Sequence, residues 1–131
     1  MSVTSFLHIN KAENHDFDLE KFNREMEKKY HGTEIEQSNS ASFSYDLCWE
    51  NYSETCQFTL RMDKKRTTFA IEYFNSENRM RDYASFIVWL GLFLDREQEL
   101  ILCDENNEDT LMLSANTSVE VIEEWLEKVG I

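Results

Sequence analysis

Apolar and polar residues alternate along three consecutive segments of the chain, 43–50, 56–62 and 68–73. A period of two residues is typical of a β-strand that has one buried and one exposed face. The connections 51–54 and 63–66 are short and polar, and connections of this kind join neighbouring antiparallel strands. The pattern therefore predicts a three-stranded antiparallel meander.

Three further strands are predicted outside this meander. Residues 3–9 alternate in the same way, and two short apolar runs, 100–103 and 110–114, flank the acidic turn 104–109. The segment 33–42 is polar and has no such alternation. We therefore predict a loop there.

Two predicted helices carry an apolar stripe at helical spacing. The first begins at Asp16 or Asp18, either of which can accept from the free N–H groups of the first turn, and it ends near Gly32. The last helix opens with a capping box made by Thr117 and Glu120. The apolar stripes consist of Leu19, Phe22 and Met26 in the first helix and of Val119, Ile122, Leu126 and Val129 in the last.

A third predicted helix, at about 77–94, is the most apolar segment of the chain. Its second half is apolar on all sides, so we expect it to lie on the sheet at the centre of the core. The predicted order of elements is β-α-β-β-β-α-β-β-α, and 131 residues suit one domain. The sequence thus predicts a single α+β domain over 1–131, with a mostly antiparallel sheet packed on this helix.

The composition restricts the partners of such a domain. The chain has 13 Lys and Arg against 26 Asp and Glu, a net charge of −13, with 41% hydrophobic and 13% aromatic residues. The apolar content argues against intrinsic disorder. The charge argues against sequence-independent binding to nucleic acid or to an anionic membrane surface, and it favours a basic partner. No basic and apolar leader is visible at the N-terminus, so we expect a cytosolic location.

Candidate chemistry is sparse. His8, His15 and His31 are irregularly spaced, which favours structural roles over metal binding or base catalysis. The acidic turn lacks the glycine and the distal glutamate of a calcium loop, because Asp109 and Ala115 stand there. Nothing singles out a catalytic pair among the many carboxylates, and no nucleotide-binding or hydrolase motif is present. We predict no catalytic residue, no metal site and no cofactor, and hence no enzyme.

The cysteines and the one basic cluster have plain structural interpretations. Cys48 falls on the polar face of its strand whereas Cys56 begins the apolar face of the next, so these two residues and Cys103 are predicted to be free thiols. The basic cluster 64–66 lies at a predicted hairpin tip near Arg61. The cluster could bind a phosphate or an acidic partner. Charges at a hairpin tip also prevent strand edges from pairing with other chains, and we favour this structural interpretation.

The charge is unevenly distributed. Residues 1–45 carry a net charge of −3 and residues 46–94 one of −1, whereas residues 95–131 hold 2 basic and 11 acidic groups, a net charge of −9. If the last hairpin packs beside the last helix, these carboxylates form one acidic surface. A solvated, solubilising face is the competing interpretation.

The segment from Asp82 through Leu90 to 116–122 combines an aromatic helix, an acidic hairpin and a capped last helix. In this respect it resembles small immunity proteins that bacteria carry against their own nuclease or other polymorphic toxins. The resemblance covers about the C-terminal two-fifths of the chain and implies stoichiometric inhibition of a cognate toxin domain, at its active site or at an adjacent exosite. The alternatives are a phage-type DNA mimic, which the near-neutral middle of the chain disfavours, and a small enzyme or regulatory domain.

The predicted partner is a basic protein such as a toxin domain, with neither nucleic acid nor membrane bound directly. The residues predicted to bind it are the acidic residues of the C-terminal region: Asp95, Glu97, Glu99, Asp104, Glu105, Glu108, Asp109, Glu120, Glu123, Glu124 and Glu127.

Overall fold

A computed structural model describes residues 4–10, 15–94, 98–106 and 108–131. These residues have an α+β architecture, as predicted, and form three helices and seven antiparallel strands in one sheet. The elements are β1 (Ser5–Ile9), α1 (Leu19–Lys29), β2 (Glu34–Gln37), β3 (Leu47–Tyr52), β4 (Cys56–Met62), β5 (Thr68–Ser76), α2 (Arg79–Gly91), β6 (Leu100–Asp104), β7 (Thr110–Leu113) and α3 (Val119–Val129).

The sheet has the order β2-β3-β4-β5-β1-β6-β7. The predicted meander therefore forms one half of the sheet, and β1 joins it to the β6–β7 hairpin. Because side chains alternate between the two faces of a strand, the register separates a face that the helices cover from a face that none of the described helices covers.

Strand β2 corrects the prediction of a loop over 33–42. Its four residues are all exposed at the edge of the sheet, and the Ser38 N–H extends the pairing by donating to the Asp46 carbonyl at 2.7 Å. A strand without a buried face needs no apolar alternation, so the sequence carries no signal for it. Strand β3 begins at Leu47 rather than at residue 43, because the preceding segment bends back toward the β4–β5 turn.

The helix boundaries differ slightly from those predicted. Asp18 caps α1 by accepting from the Lys21 N–H, as expected. In α3 the N-cap is Ser118, which accepts from the Val121 N–H, and not Thr117. The Thr117 hydroxyl instead accepts from the Ser114 N–H at 2.8 Å, which closes the preceding turn.

Helix α2 is the centre of the core, as its composition predicts. Phe86 packs on the sheet against Phe58 and Phe74, while Trp89 contacts Tyr30 at the end of α1. Helix α3 packs against the remaining side of α2. A buried hydrogen bond of 2.6 Å joins the hydroxyls of Ser5 and Tyr83, and burial raises the pKa of Tyr83 to about 12. Within the described residues, no helix has the length and apolar content that crossing a bilayer requires.

Candidate functional site

The acidic turn between β6 and β7 is closed by one of its own carboxylates. Asp104 Oδ1 accepts from the backbone N–H groups of Glu108 at 3.0 Å and Asp109 at 3.4 Å, and the Asp104 N–H donates to the Asp109 carbonyl at 3.3 Å. Glu105 and Glu108 are exposed, whereas Asp109 is half-buried. Asp104 therefore shapes the turn, while its two exposed neighbours present their carboxylates to solvent.

Helix α3 presents acidic residues from a well-anchored backbone. Ile122, Trp125 and Leu126 are buried against the core, and Gly130 ends the helix in the left-handed conformation with φ +77°. Such a C-cap suits glycine because it has no side chain to strain the backbone. The outward face of the helix carries the exposed residues Glu120, Glu124 and Glu127.

Arg81 of α2 engages two of the predicted residues. Its guanidinium lies 3.1 Å from the Glu120 carboxylate and 3.4 Å from that of Glu123. A hydrogen bond from its own backbone N–H, together with Arg81, lowers the pKa of Glu120. These two carboxylates thus help to hold α3 to α2, and their charge is already partly balanced.

The remaining predicted residues lie before β6. Glu99 is exposed, and its carbonyl accepts from the Asn10 N–H at 2.8 Å. Asp95 and Glu97 lie outside the described residues. The acidic residues from 99 onward therefore lie in two parts of the fold. One group lies on or beside the β6–β7 hairpin at the edge of the sheet, and the other lies on α3.

The base and the tip of the β6–β7 hairpin have different neighbours. Leu113 and Ser114 at its base lie beside Ile122 and Thr117, at the start of α3. The acidic tip is at the opposite end of the two strands. The assignment of the acidic residues to a partner interface remains a prediction.

The uncovered face of the sheet is a feature that the sequence did not reveal. One row of paired residues crosses all seven strands there: Glu36, Cys48, Arg61, Ala70, Phe6, Cys103 and Thr110. The small side chains at 48, 70 and 103 form a low floor beside the larger Arg61 and Phe6. Recognising this row requires the register of every strand, and no local pattern supplies it.

Three adjoining cavities lie over this row, with volumes of about 580, 260 and 300 Å³. Tyr45 lines all three, while Arg61 lines the first two and Phe6 the last two. They therefore form one continuous depression, which we call the open-face groove. It extends from Glu36 at the β2 edge to Glu105 at the acidic hairpin.

Two ion pairs organise the β2 end of the open-face groove. Arg61 pairs with Glu72 on its floor. Arg66 binds both carboxylate oxygens of Asp46, at 2.5 and 3.0 Å, and this contact holds the pKa of Asp46 below its usual range. Arg66, from the basic cluster predicted at the hairpin tip, thus ties the segment before β3 to the β4–β5 turn.

The cysteines are free thiols, and one of the histidines lies on the uncovered face of the sheet. All three cysteines are free, and burial raises the pKa values of Cys48 and Cys56 to about 11, which disfavours the reactive thiolate. His8 lies in the open-face groove, where burial lowers its pKa. Among the described residues, no group of three or more potential ligands is placed to hold a metal ion.

Comparisons of the chain with protein-family models, with curated proteins and with solved structures found no match.

Proposed function

We propose that this chain is an immunity-type inhibitor, which binds a basic toxin domain in a one-to-one complex and thereby neutralises it. The observation that carries the proposal is the net charge of −9 in residues 95–131. Among the described residues of this region, the exposed carboxylates apart from Glu99 lie on a closed turn and a capped helix: Glu105, Glu108, Glu120, Glu124 and Glu127. A concentrated negative field accelerates encounter with a basic partner and selects against acidic ones.

The backbone beneath these carboxylates also supports the proposal. The hairpin tip is closed by Asp104, and α3 is capped at both ends and anchored by buried side chains. Charged groups on a fixed backbone lose less conformational freedom when a partner arrives than groups on a flexible tail. This favours tight binding over loose electrostatic attraction.

The test begins with the gene directly upstream of this chain, which the proposal expects to encode a large secreted protein whose C-terminal domain is the toxin. We expect that domain alone to arrest bacterial growth and co-expression of the chain to restore it. The purified proteins should form a one-to-one complex, and association should slow at least tenfold between 50 and 500 mM salt because the attraction is screened. If the upstream gene encodes no such protein, or if the chain neither binds nor neutralises the domain, the proposal is wrong.

A matched pair of charge-reversal variants locates the interface. The first changes four exposed acidic residues of the C-terminal region to Lys: Glu105, Glu108, Glu124 and Glu127. The control makes the same charge change at four exposed positions elsewhere: Asp16, Glu34, Glu54 and Glu77. We expect the first variant to raise Kd at least 100-fold and the control less than fivefold. Equal effects would mean that net charge, rather than a defined surface, drives the interaction.

A further inference from the structure

The uncovered face of the sheet is not the polar surface that a solvent-facing antiparallel sheet normally presents. Phe6 and Ile101 are half-buried there, and Met112 is 44% exposed. Apolar side chains that stay accessible on such a face can contact a partner. The composition of this face therefore points to a contact outside the chain.

The shape of this face points the same way. The open-face groove lies over Cys48, Ala70 and Cys103, whose small side chains leave room between larger neighbours. Glu36 at one end and Glu105 at the other are separated by five strand-to-strand spacings, about 24 Å. A protein segment of seven or eight extended residues has this length.

The charge of the open-face groove identifies the occupant. Five acidic residues line it, of which Glu72 is paired with Arg61 and Asp46 with Arg66. Within the described part of the chain, no cation pairs with the other three, which are Glu36, Asp104 and Glu105. A second copy of this chain would bring like charges together, and nucleic acid would bring phosphates. The occupant that fits is a basic protein segment.

We infer that the open-face groove receives a segment of the basic partner, with an apolar side chain seated over Ala70 and Phe6 between cationic side chains directed at Glu36 and Glu105. The inference rests on the proposed function. It identifies the uncovered face of the sheet as the surface that contacts the partner. The acidic hairpin then belongs to the docking surface as one end of this groove, while α3 lies on the opposite side of the sheet and contributes at long range.

The decisive variant fills the groove. Ala70→Trp places an indole on its floor, and Thr59→Trp is the matched control on the same face of the sheet but outside the groove. With the toxin domain described above as the probe, we expect Ala70→Trp to raise Kd at least 100-fold and Thr59→Trp less than threefold. Circular dichroism and thermal unfolding of both variants check that they fold.

A second variant avoids the buried floor altogether. Glu36→Lys with Glu105→Lys reverses one exposed charge at each end of the groove, and Glu54→Lys with Glu77→Lys, at exposed positions away from it, is the control. We expect the first pair to raise Kd at least tenfold more than the second and to reduce the salt dependence of association.

The outcomes separate the two proposals. If wild-type chain binds the domain, yet the folded Ala70→Trp variant and the end-charge variant bind as their controls do, the groove is wrong and the proposed function stands. If the variant at 105, 108, 124 and 127 loses binding while both groove variants retain it, the contact lies on the hairpin and α3 instead. If wild-type chain does not bind, both proposals fall.

Discussion

Neighbouring residues of one strand lie on opposite faces of the central sheet and differ in their burial. In β1, Leu7 is fully buried beneath the helices, whereas Phe6 is half-buried on the uncovered face and lines the groove. Both are large apolar residues, so hydrophobicity alone does not distinguish them. The two residues differ in what covers them: the helices bury Leu7, whereas Phe6 faces the groove that we propose as a docking site.

The largest loss of stability is expected from a substitution on the covered face. Leu7→Ala removes a fully buried side chain that packs in the core cluster, and we expect the free energy of unfolding to fall by about 2–5 kcal/mol. Urea unfolding at pH 7 measures this loss, with an unchanged m-value indicating that the unfolded state is the same. A loss below about 1 kcal/mol would contradict the division between the two faces.

Arg66 provides the next test, because it supports the wall of the groove from within the fold. Its guanidinium binds the Asp46 carboxylate and the Asp63 carbonyl. Arg66→Ala leaves the largely buried Asp46 without its cation, so we expect a loss of about 2 kcal/mol. Lys65→Ala, at an exposed neighbouring position, is the control and should cost less than about 0.5 kcal/mol.

The same ion pair predicts a pH dependence. Because the folded-state pKa of Asp46 is lowered, chiefly by the hydrogen bond from Arg66, its contribution is present above the unfolded pKa of about 3.9 and is lost as pH falls below it. We therefore expect the stability difference between wild type and Asp46→Asn to be constant from pH 7 to 5 and to shrink toward pH 3. A difference that grows on acidification would contradict this.

Much of the covered face could be predicted from the sequence, since burial imposes periodicity. The alternation of 56–62 with its inward Phe58 and Leu60, and the apolar surface of α2, both follow from packing against one core. The strand β2 could not be predicted, because an exposed edge strand is held by backbone pairing alone.

The uncovered face was largely inaccessible to sequence reasoning for a different reason. Glu36, Arg61 and Phe6 are far apart in the chain and become neighbours only through the register of five strands. The acidic C-terminal region, in contrast, was visible as a local excess of charge. Its division between the hairpin and α3 depends on how the elements pack, and composition carries no information on that.

A smaller loss of stability is expected at the start of α3, one of the helices on the covered side of the sheet. Ser118→Ala removes the side chain that accepts from the Val121 N–H, and loss of such a cap costs about 1 kcal/mol. Thermal unfolding would show this as a lowered Tm. Ser118→Asp retains the acceptor and should preserve stability, so a loss of equal size there would argue against Ser118 as the cap.

The smallest effect on stability is expected at Phe6, and it gives the sharpest form of the comparison with Leu7. Phe6→Ala removes a half-buried ring from a face that no described helix covers, so we expect a loss of about 1 kcal/mol or less. If the groove binds the basic partner, the same change should weaken binding at least tenfold, because a ring at the centre of an interface contributes far more than one at its rim. Urea unfolding and titration with the toxin domain measure the two effects on one variant. A large loss of stability with unchanged affinity would assign Phe6 to the core and remove the distinction between the two faces.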